Sequence, residues 1–450
     1  MTTATTNGMH DRFDGRLLLS GDAGYDEART VWNAMIDRRP RMIIRCASVG
    51  DVATAVRTAR ELGLEIGVRC GGHSVIGHAV PEDGLMIDLT PLNRVHVDPH
   101  QRRAWVQGGT LLGALDQASQ QHGLATTAGN VSHTGVGGLT LGGGMGWLAR
   151  EHGLTCDNVV SFEVVTADGS VVRASETEHP ELFWGLRGGG GNFGVVTDFE
   201  FRLHPVGPQT LSAEFDFALD QAEAVLRSWR DLNATAPLPA TFTALLGGGQ
   251  VTVGYVWVGG DLHAGRELLA SLRALGRPSA ERVETPSYVE LQRRDDTVDG
   301  HQLRRYWKGH FLRELTDEAI TVMVDEILRS EHAPNVSLQA YGGAIADVPE
   351  EAMAFSHRDT KFELVAATRW TDPAEDSDRM GEARRYAATL DRFASGVYSN
   401  TLNDEGMTGV RRAYSPTKLA RLTAVKDTYD PDNVFHLNPN IQPSKISADR

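Results

Sequence analysis

The chain has 450 residues with 44 Lys+Arg and 59 Asp+Glu, a formal net charge of −15. That balance excludes a nucleic-acid binder, because neutralising phosphates needs a basic face, and 41% hydrophobic with 23% charged residues excludes global disorder. Three cysteines exclude a disulfide scaffold, and the length allows two or three domains at roughly 150 residues each.

The opening MTTATTNGMHDRF has no basic leader and no apolar run. No stretch approaches the ~20 consecutive apolar residues of a membrane helix, so a soluble, cytoplasmic chain is expected. Ser48-Val49-Gly50-Asp51 resembles a capping box. Val52, Val56, Ala59 and Leu62 follow at helical spacing, and Gly63 supplies the stop. Leu64, Ile66 and Val68 alternate, predicting a strand that runs into the loop Arg69-Cys70-Gly71-Gly72-His73-Ser74. Met86 to Leu89 and Ala104 to Val106 read as strands, and Leu111 to His122 as a helix closed by Gly123. After a glycine-rich stretch a short helix passes through Trp147 and Arg150. Asp168-Gly169 between apolar runs marks a hairpin. Glu181 to Leu186 is a short helix that opens onto Gly188 to Gly191, and Val195 to Leu203 alternates as a strand. Beyond 209, helical patterns (Ala222 to Leu232, Ala264 to Leu275, Asp317 to Arg329) alternate with strand-like runs (Val251 to Val258, Ser337 to Tyr341, Phe362 to Trp370). A helix from Pro416 to Tyr429 and the segment 430–443 close the chain.

Glycine is in excess: 48 residues, against a typical ~7%. They cluster at Gly71-Gly72, Gly108-Gly109, 135–146 and 188–194, at the ends of apolar segments. Linkers do not fall there, whereas turns that cradle a ligand do. Gly189, Gly191 and Gly194 spell GxGxxG, but a helix precedes them and a strand follows, the reverse of a Rossmann fingerprint. No P-loop occurs, and Gly72-His73-Ser74-Val75-Ile76-Gly77 has the wrong spacing for a nucleophile elbow. His73, His78 and His133 lack an HExxH or Cys-pair context, so no metal is expected. What remains is a set of bare backbone N–H nests, where a Cβ would block a diphosphate. Several nests suit an extended ligand such as a dinucleotide.

Arg69 to Ser74, then Val136-Gly137-Gly138 with Gly142-Gly143-Gly144, then Gly153-Leu154-Thr155-Cys156-Asp157-Asn158, resemble the PCMH-type FAD-binding domain of the vanillyl-alcohol-oxidase superfamily. The Trp184-Gly185-Leu186-Arg187-Gly188 to Val196 block also matches, and the tail from Tyr429 to Ile441 is similar to the closing motif of berberine-bridge-enzyme-like oxidases. The resemblance is strong over 30–208 and 395–443 and weak between them. It implies an α+β fold: an N-terminal extension (1–35), a PCMH-type FAD-binding domain of two α/β subdomains (36–208), a substrate domain with an antiparallel sheet flanked by helices (209–415), and a C-terminal segment (416–450) returning to the FAD domain.

The resemblance further implies FAD joined to His73 by an 8α-histidyl bond. The position of the family's second, cysteinyl bond falls on Val131, so no second bond is expected, and Cys156 reads as a packed thiol. Arg69, Cys70, Gly71, Gly72, Ser74, Gly77, His78, Gly129, Thr134, Gly135, Gly137, Gly138, Gly142 and Gly143 are implied to line the cofactor. The Val195-Val196 backbone is implied to meet adenine, and Asn438 and Asn440 to reach the isoalloxazine. Tyr398, in Tyr398-Ser399-Asn400, is implied as base or orienter, with His357 and His133 as further catalytic candidates. Thr134 stands where a small residue admits dioxygen. The expected reaction is hydride transfer from an alcohol or amine to FAD, with dioxygen reoxidising it to give hydrogen peroxide. Hydroxynicotine-type amine oxidation, a tailoring dehydrogenase with another acceptor, and flavin binding without turnover stand as alternatives. The partners are a small-molecule substrate and dioxygen, with no nucleic acid and no membrane.

Overall fold

A computed structural model describes residues 8–296 and 300–447; the first seven residues of the expected extension and residues 448–450 of the expected closing segment lie outside it. The capping box forms as its residue types dictate. Ser48 Oγ accepts the Asp51 N–H at 3.2 Å, and the helix Val49–Leu62 ends at Gly63 in the left-handed region with φ 63°. The buried Asp51 carboxylate also collects the N–H groups of Asp14, Gly15 and Ala47 at 2.7–2.9 Å, which ties the N-terminal segment to this helix.

Two small sheets build the first half. In the four-stranded one, Leu85–Asp88 lies parallel between Met42–Arg45 and Ile66–Arg69, with Arg16–Leu18 antiparallel at the edge. The second is antiparallel, in the order Val95–Asp98, Arg103–Gln107, Val195–Arg202, Val159–Val165, Val171–Ser175. Its glycine turns fall between strands and helices, so the 69–78 and 129–146 segments converge.

The second half is a seven-stranded antiparallel sheet, in the order Ala280–Glu284, Leu211–Ala218, Gln250–Trp257, Ala240–Gly247, Asn335–Ala340, Phe362–Trp370, Arg304–Leu312. Strand alternation divides its faces. One face, with Phe215, Phe242, Val253, Leu338 and Leu364, is buried against Trp229, Ile320, Met323 and Tyr386 of the flanking helices. The opposite face carries a row across four strands, Phe311, Glu363, Gln339 and Thr243.

Two anchors hold the halves together, and a third ties the closing segment to the first half. Asn33 donates to Val75 O (2.6 Å) and Arg305 O (2.9 Å) and accepts the Arg305 N–H (2.9 Å). Arg358 and Asp157 form a buried ion pair at 2.6 Å. Lys426, on the helix Pro416–Tyr429, donates to Asn192 O, Phe435 O and the Asp430 carboxylate at 2.6–2.8 Å, with both charged groups fully buried. Among the described residues no helix is long and apolar enough to cross a membrane.

Candidate active site

The loop after Ile66–Arg69 meets the loop before the helix Val136–Gly142 at backbone distance. A Cβ at Gly71 would lie 2.3 Å from Gly135 N, and one at Gly135 would lie 2.3 Å from Gly71 N. Only glycine permits this approach, which explains two of the expected glycines without any ligand. Gly138 differs: it is exposed, and a Cβ there would meet nothing within 4 Å. Gly72 and Gly77 hold φ values of 67° and 73° and press on Val31 and Ile36, respectively. Gly129 packs on Leu139, and Gly137 on Gly108 O.

His73 stands at the rim of this cradle. Its ring stacks on Trp32 (centroids 4.8 Å, 14°), its Nε2 lies 2.7 Å from His133 Nδ1, and its Nδ1 lies 3.4 Å from Thr134 Oγ1. Burial first, then His133, Arg305 and His301, push its pKa down to about 3, so the ring is neutral at physiological pH. A neutral imidazole keeps a nucleophilic lone pair.

The remaining expected residues divide. Arg69 is committed to Ala28 O and Ser74 to the His78 N–H, while burial pushes His78 down to about 4. The Cys70 thiol turns onto Thr110 O and burial pushes it up to about 11. Val195 and Val196 pair with Val165 and Val164, while the ladder to Arg103–Gln107 starts only at Asp198. Asn438 donates to Phe435 O. The side-chain oxygens of Asn130, Asn438 and Asn440 are buried without a protein partner, as a site built for a polar ligand requires. These oxygens and the open Gly138 fit FAD, which the 69–78 and 134–143 backbones and the two tail asparagines would hold.

Two catalytic candidates are held by defined contacts. The Tyr398 ring packs against Gly143, and its hydroxyl accepts the N–H groups of Gly144 (2.8 Å) and Asn400 Nδ2 (2.9 Å). Burial raises its pKa well above the ordinary value, which favours the orienting one of its two expected roles. His357 lies behind this wall at φ 66°, its Nε2 2.9 Å from Arg412 O and its ring against Gly396. Its ring is engaged by backbone at this position, and a positive φ at histidine leaves no sequence mark.

Sequence reasoning missed three residues. Asn400 bridges Gly138 O, Leu139 O and Tyr398; its signal was the Tyr-x-Asn spacing itself. Glu363 is buried on the polar sheet face, accepts the Tyr341 hydroxyl at 2.8 Å, and is pushed up to about 7 by burial. Its field raises Tyr398 further, and Phe311 links the two: it is Glu363's register neighbour, and its ring stacks on Tyr398 with centroids 6.3 Å apart. Tyr341, its partner, comes from the end of a different strand.

Residues 40–175 match the family described as FAD binding domain, and 397–442 match the family described as Berberine and berberine like. The chain is 34% identical to (R)-6-hydroxynicotine oxidase of Paenarthrobacter nicotinovorans, over 95% of this chain and 97% of that one. It is 30% identical to glucooligosaccharide oxidase of Sarocladium strictum, over 93% and 91%. The crystal structure of 6-hydroxy-D-nicotine oxidase from Arthrobacter nicotinovorans superposes with a TM-score of 0.86 at 30% identity, covering 96% of this chain and 98% of that one. Fold and site thus define an FAD-dependent oxidoreductase of the PCMH type. Within that class the chain belongs to the berberine-bridge-enzyme-like FAD-linked oxidases.

Proposed function

We propose that this oxidase carries FAD on His73 alone and oxidises a polar alcohol or amine, with Glu363 receiving the substrate's O–H or N–H proton and dioxygen as the acceptor. The observation that carries the reading is the buried Glu363 carboxyl, bonded to the Tyr341 hydroxyl, next to Phe311 on which Tyr398 stacks, and pushed up to about 7. When bound, FAD supplies the hydride acceptor. The protein supplies the rest. Glu363, its carboxyl pushed up to about 7, takes the proton, and the Tyr341 hydroxyl stabilises its charged form. Tyr398 and Asn400 fix the glycine turn beneath. Gln339 and Thr243, in register with Glu363 across the sheet, present polar groups suited to a hydroxylated or amino substrate.

The histidine-only link is supported by Val131 at the second position and by the state of the thiols. Cys156 lies against Met353 and is pushed well up, and Cys70 is pushed up to about 11, so neither offers a thiolate. Small Thr134 beside His73 supports access for dioxygen. The printed names of the two relatives support an amine or a saccharide hydroxyl as substrate class. A cytoplasmic setting is supported by three free cysteines. The domain limits proposed are 36–208 and 209–415 with 416–450 returning, supported by the close of the small sheet at Arg202 and the start of the large one at Leu211.

The test is anaerobic mixing with a panel of oligosaccharides, primary alcohols and secondary amines. The reading expects one class to bleach the flavin absorbance and air to restore it with stoichiometric peroxide. Bleaching that air does not reverse would give the enzyme another acceptor, and no bleaching by any class would leave flavin binding without turnover.

A further inference from the structure

Two histidines from separate glycine loops meet at the rim of the cradle, and no expectation from the sequence paired them. His73 Nε2 and His133 Nδ1 lie 2.7 Å apart, with ring centroids 4.7 Å apart and planes tilted 40°. Burial lowers both pKa values; at His133 the Asp296 carboxylate opposes the shift, while His301 and Arg305 reinforce it at both rings. Two neutral imidazoles sharing one hydrogen bond are necessarily one donor and one acceptor. The Thr134 hydroxyl, 3.4 Å from His73 Nδ1, is placed to donate to that nitrogen. In the His73 tautomer with its proton on Nε2, given to His133, the lone pair lies on Nδ1 beside the Thr134 hydroxyl; in the reverse tautomer His133 is the donor.

Both sides of the pair are held. Trp32 stacks on the His73 ring and is itself covered by the Arg305 guanidinium at 4.0 Å. The loop carrying His133 is pinned where Asp296 accepts Ser132 N–H at 2.8 Å and Ser132 O–H at 2.7 Å. The geometry is that of an oriented nucleophile with a base at its back.

We infer that His133 is the proton acceptor for self-attachment of the cofactor: as His73 Nδ1 bonds to the flavin 8α carbon, the Nε2 proton passes to His133. The inference rests on the proposal that His73 is the attachment residue. The Nδ1–C8α bond forms, one C8α–H bond and the His73 Nε2–H bond break, and two protons leave. The two electrons remain on the flavin ring system until dioxygen removes them as hydrogen peroxide. Without an acceptor the alkylated ring would remain a cation; Arg305 and His301 oppose positive charge at both rings, but only His133 has a carboxylate, Asp296, that favours its charged form. His133 therefore acts through His73, as a positioning residue and proton acceptor for attachment.

The test follows covalent attachment and does not use turnover. Wild type, His133→Ala, His133→Asn and His73→Ala are freed of loose flavin during flavin-starved expression and incubated with excess FAD in air. Aliquots are acid-precipitated, acid-stable flavin is read by absorbance, and the flavinylated peptide is mapped. Wild type is expected to approach one flavin per chain, linked through Nδ1, and His73→Ala none. His133→Ala is expected to bind FAD with unchanged fluorescence quenching but to attach it roughly 10²-fold more slowly, with partial rescue by added imidazole. His133→Asn keeps a hydrogen-bonding group and cannot take the proton, so it should stay slow; it also carries the test if the alanine variant does not fold. Attachment at the wild-type rate in the folded His133 variants, or a link through Nε2, overturns the role of His133 and leaves His73 standing. Wild type without acid-stable flavin overturns the attachment reading and this inference with it.

Discussion

The Tyr341 hydroxyl donates to the Glu363 carboxylate at 2.8 Å, joining two strands of the large sheet beside Phe311, on which Tyr398 stacks. Neither residue faces the helices that cover the sheet's other side, so the pair is not part of that apolar core. A carboxyl held near 7 is matched to proton transfer at neutral pH. Glu363→Gln keeps the shape and removes the base. It should slow anaerobic flavin reduction by roughly 10²–10⁴-fold, with flavin content unchanged, in stopped-flow absorbance. A loss below tenfold would take Glu363 out of the chemistry.

The same pair sets a pH dependence whose sign is fixed. The rate should climb as Glu363 ionises, with a limb near pH 7. The Tyr341 hydroxyl favours the ionised form, so Tyr341→Phe raises the carboxyl pKa further and moves the limb to higher pH. Stability runs the other way. The folded-state pKa of about 7 lies above the ordinary 4.5, so the folded protein loses stability as pH rises through that window, and Glu363→Gln removes that loss. A limb unmoved in Tyr341→Phe would assign it to another group.

Some of this was legible because local signals agreed. Phe362–Trp370 alternates along its length, and Ser415 caps the helix Pro416–Tyr429, whose first residue is proline. The strand Arg304–Leu312 was not read, because its sequence RRYWKGHFL puts charge on both faces. Arg304 pairs with Asp376 and Lys308 with Asp404 on one side, while Arg305 lies over Trp32 on the other. Glu363 was invisible for a related reason. A lone carboxylate in an alternating strand reads as a solvent-facing residue, and its meaning arises only when Tyr341 and Tyr398 arrive from elsewhere. The glycine clusters were legible as a group, but not which glycines serve the fold and which serve the ligand.

That last distinction is testable. Gly135→Ala drives a methyl to 2.3 Å from Gly71 N and 2.4 Å from Cys70 Sγ, so the apoprotein itself should be destabilised, by an overpacking cost of about 1–3 kcal/mol. Gly138→Ala meets no protein atom within 4 Å and sits in the helix Val136–Gly142, where alanine is favoured by about 0.5–1 kcal/mol. Its apoprotein should melt at or above the wild-type temperature while FAD affinity falls. Calorimetry of the apoproteins and flavin fluorescence titration read both effects. Unchanged FAD affinity in Gly138→Ala would move the cofactor away from this helix.

The tail asparagines depend on a charge that never reaches solvent. Lys426 and Asp430 are both fully buried, and Asp430 also accepts the N–H groups of Val434 and Phe435 at 2.7–2.8 Å. This carboxylate therefore folds the turn that delivers Asn438 and Asn440. Lys426→Met preserves bulk and leaves the buried carboxylate without its cation, and breaking such a pair typically costs about 3–5 kcal/mol. The two backbone donors soften that loss only in part, and Asn192 O and Phe435 O lose their donor as well. Denaturant unfolding of the apoprotein should show a destabilisation in this range, and FAD should bind more weakly because both tail asparagines are released. A stability loss without a loss of FAD affinity would separate the tail from the cofactor, since the same turn could then loosen without disturbing the site.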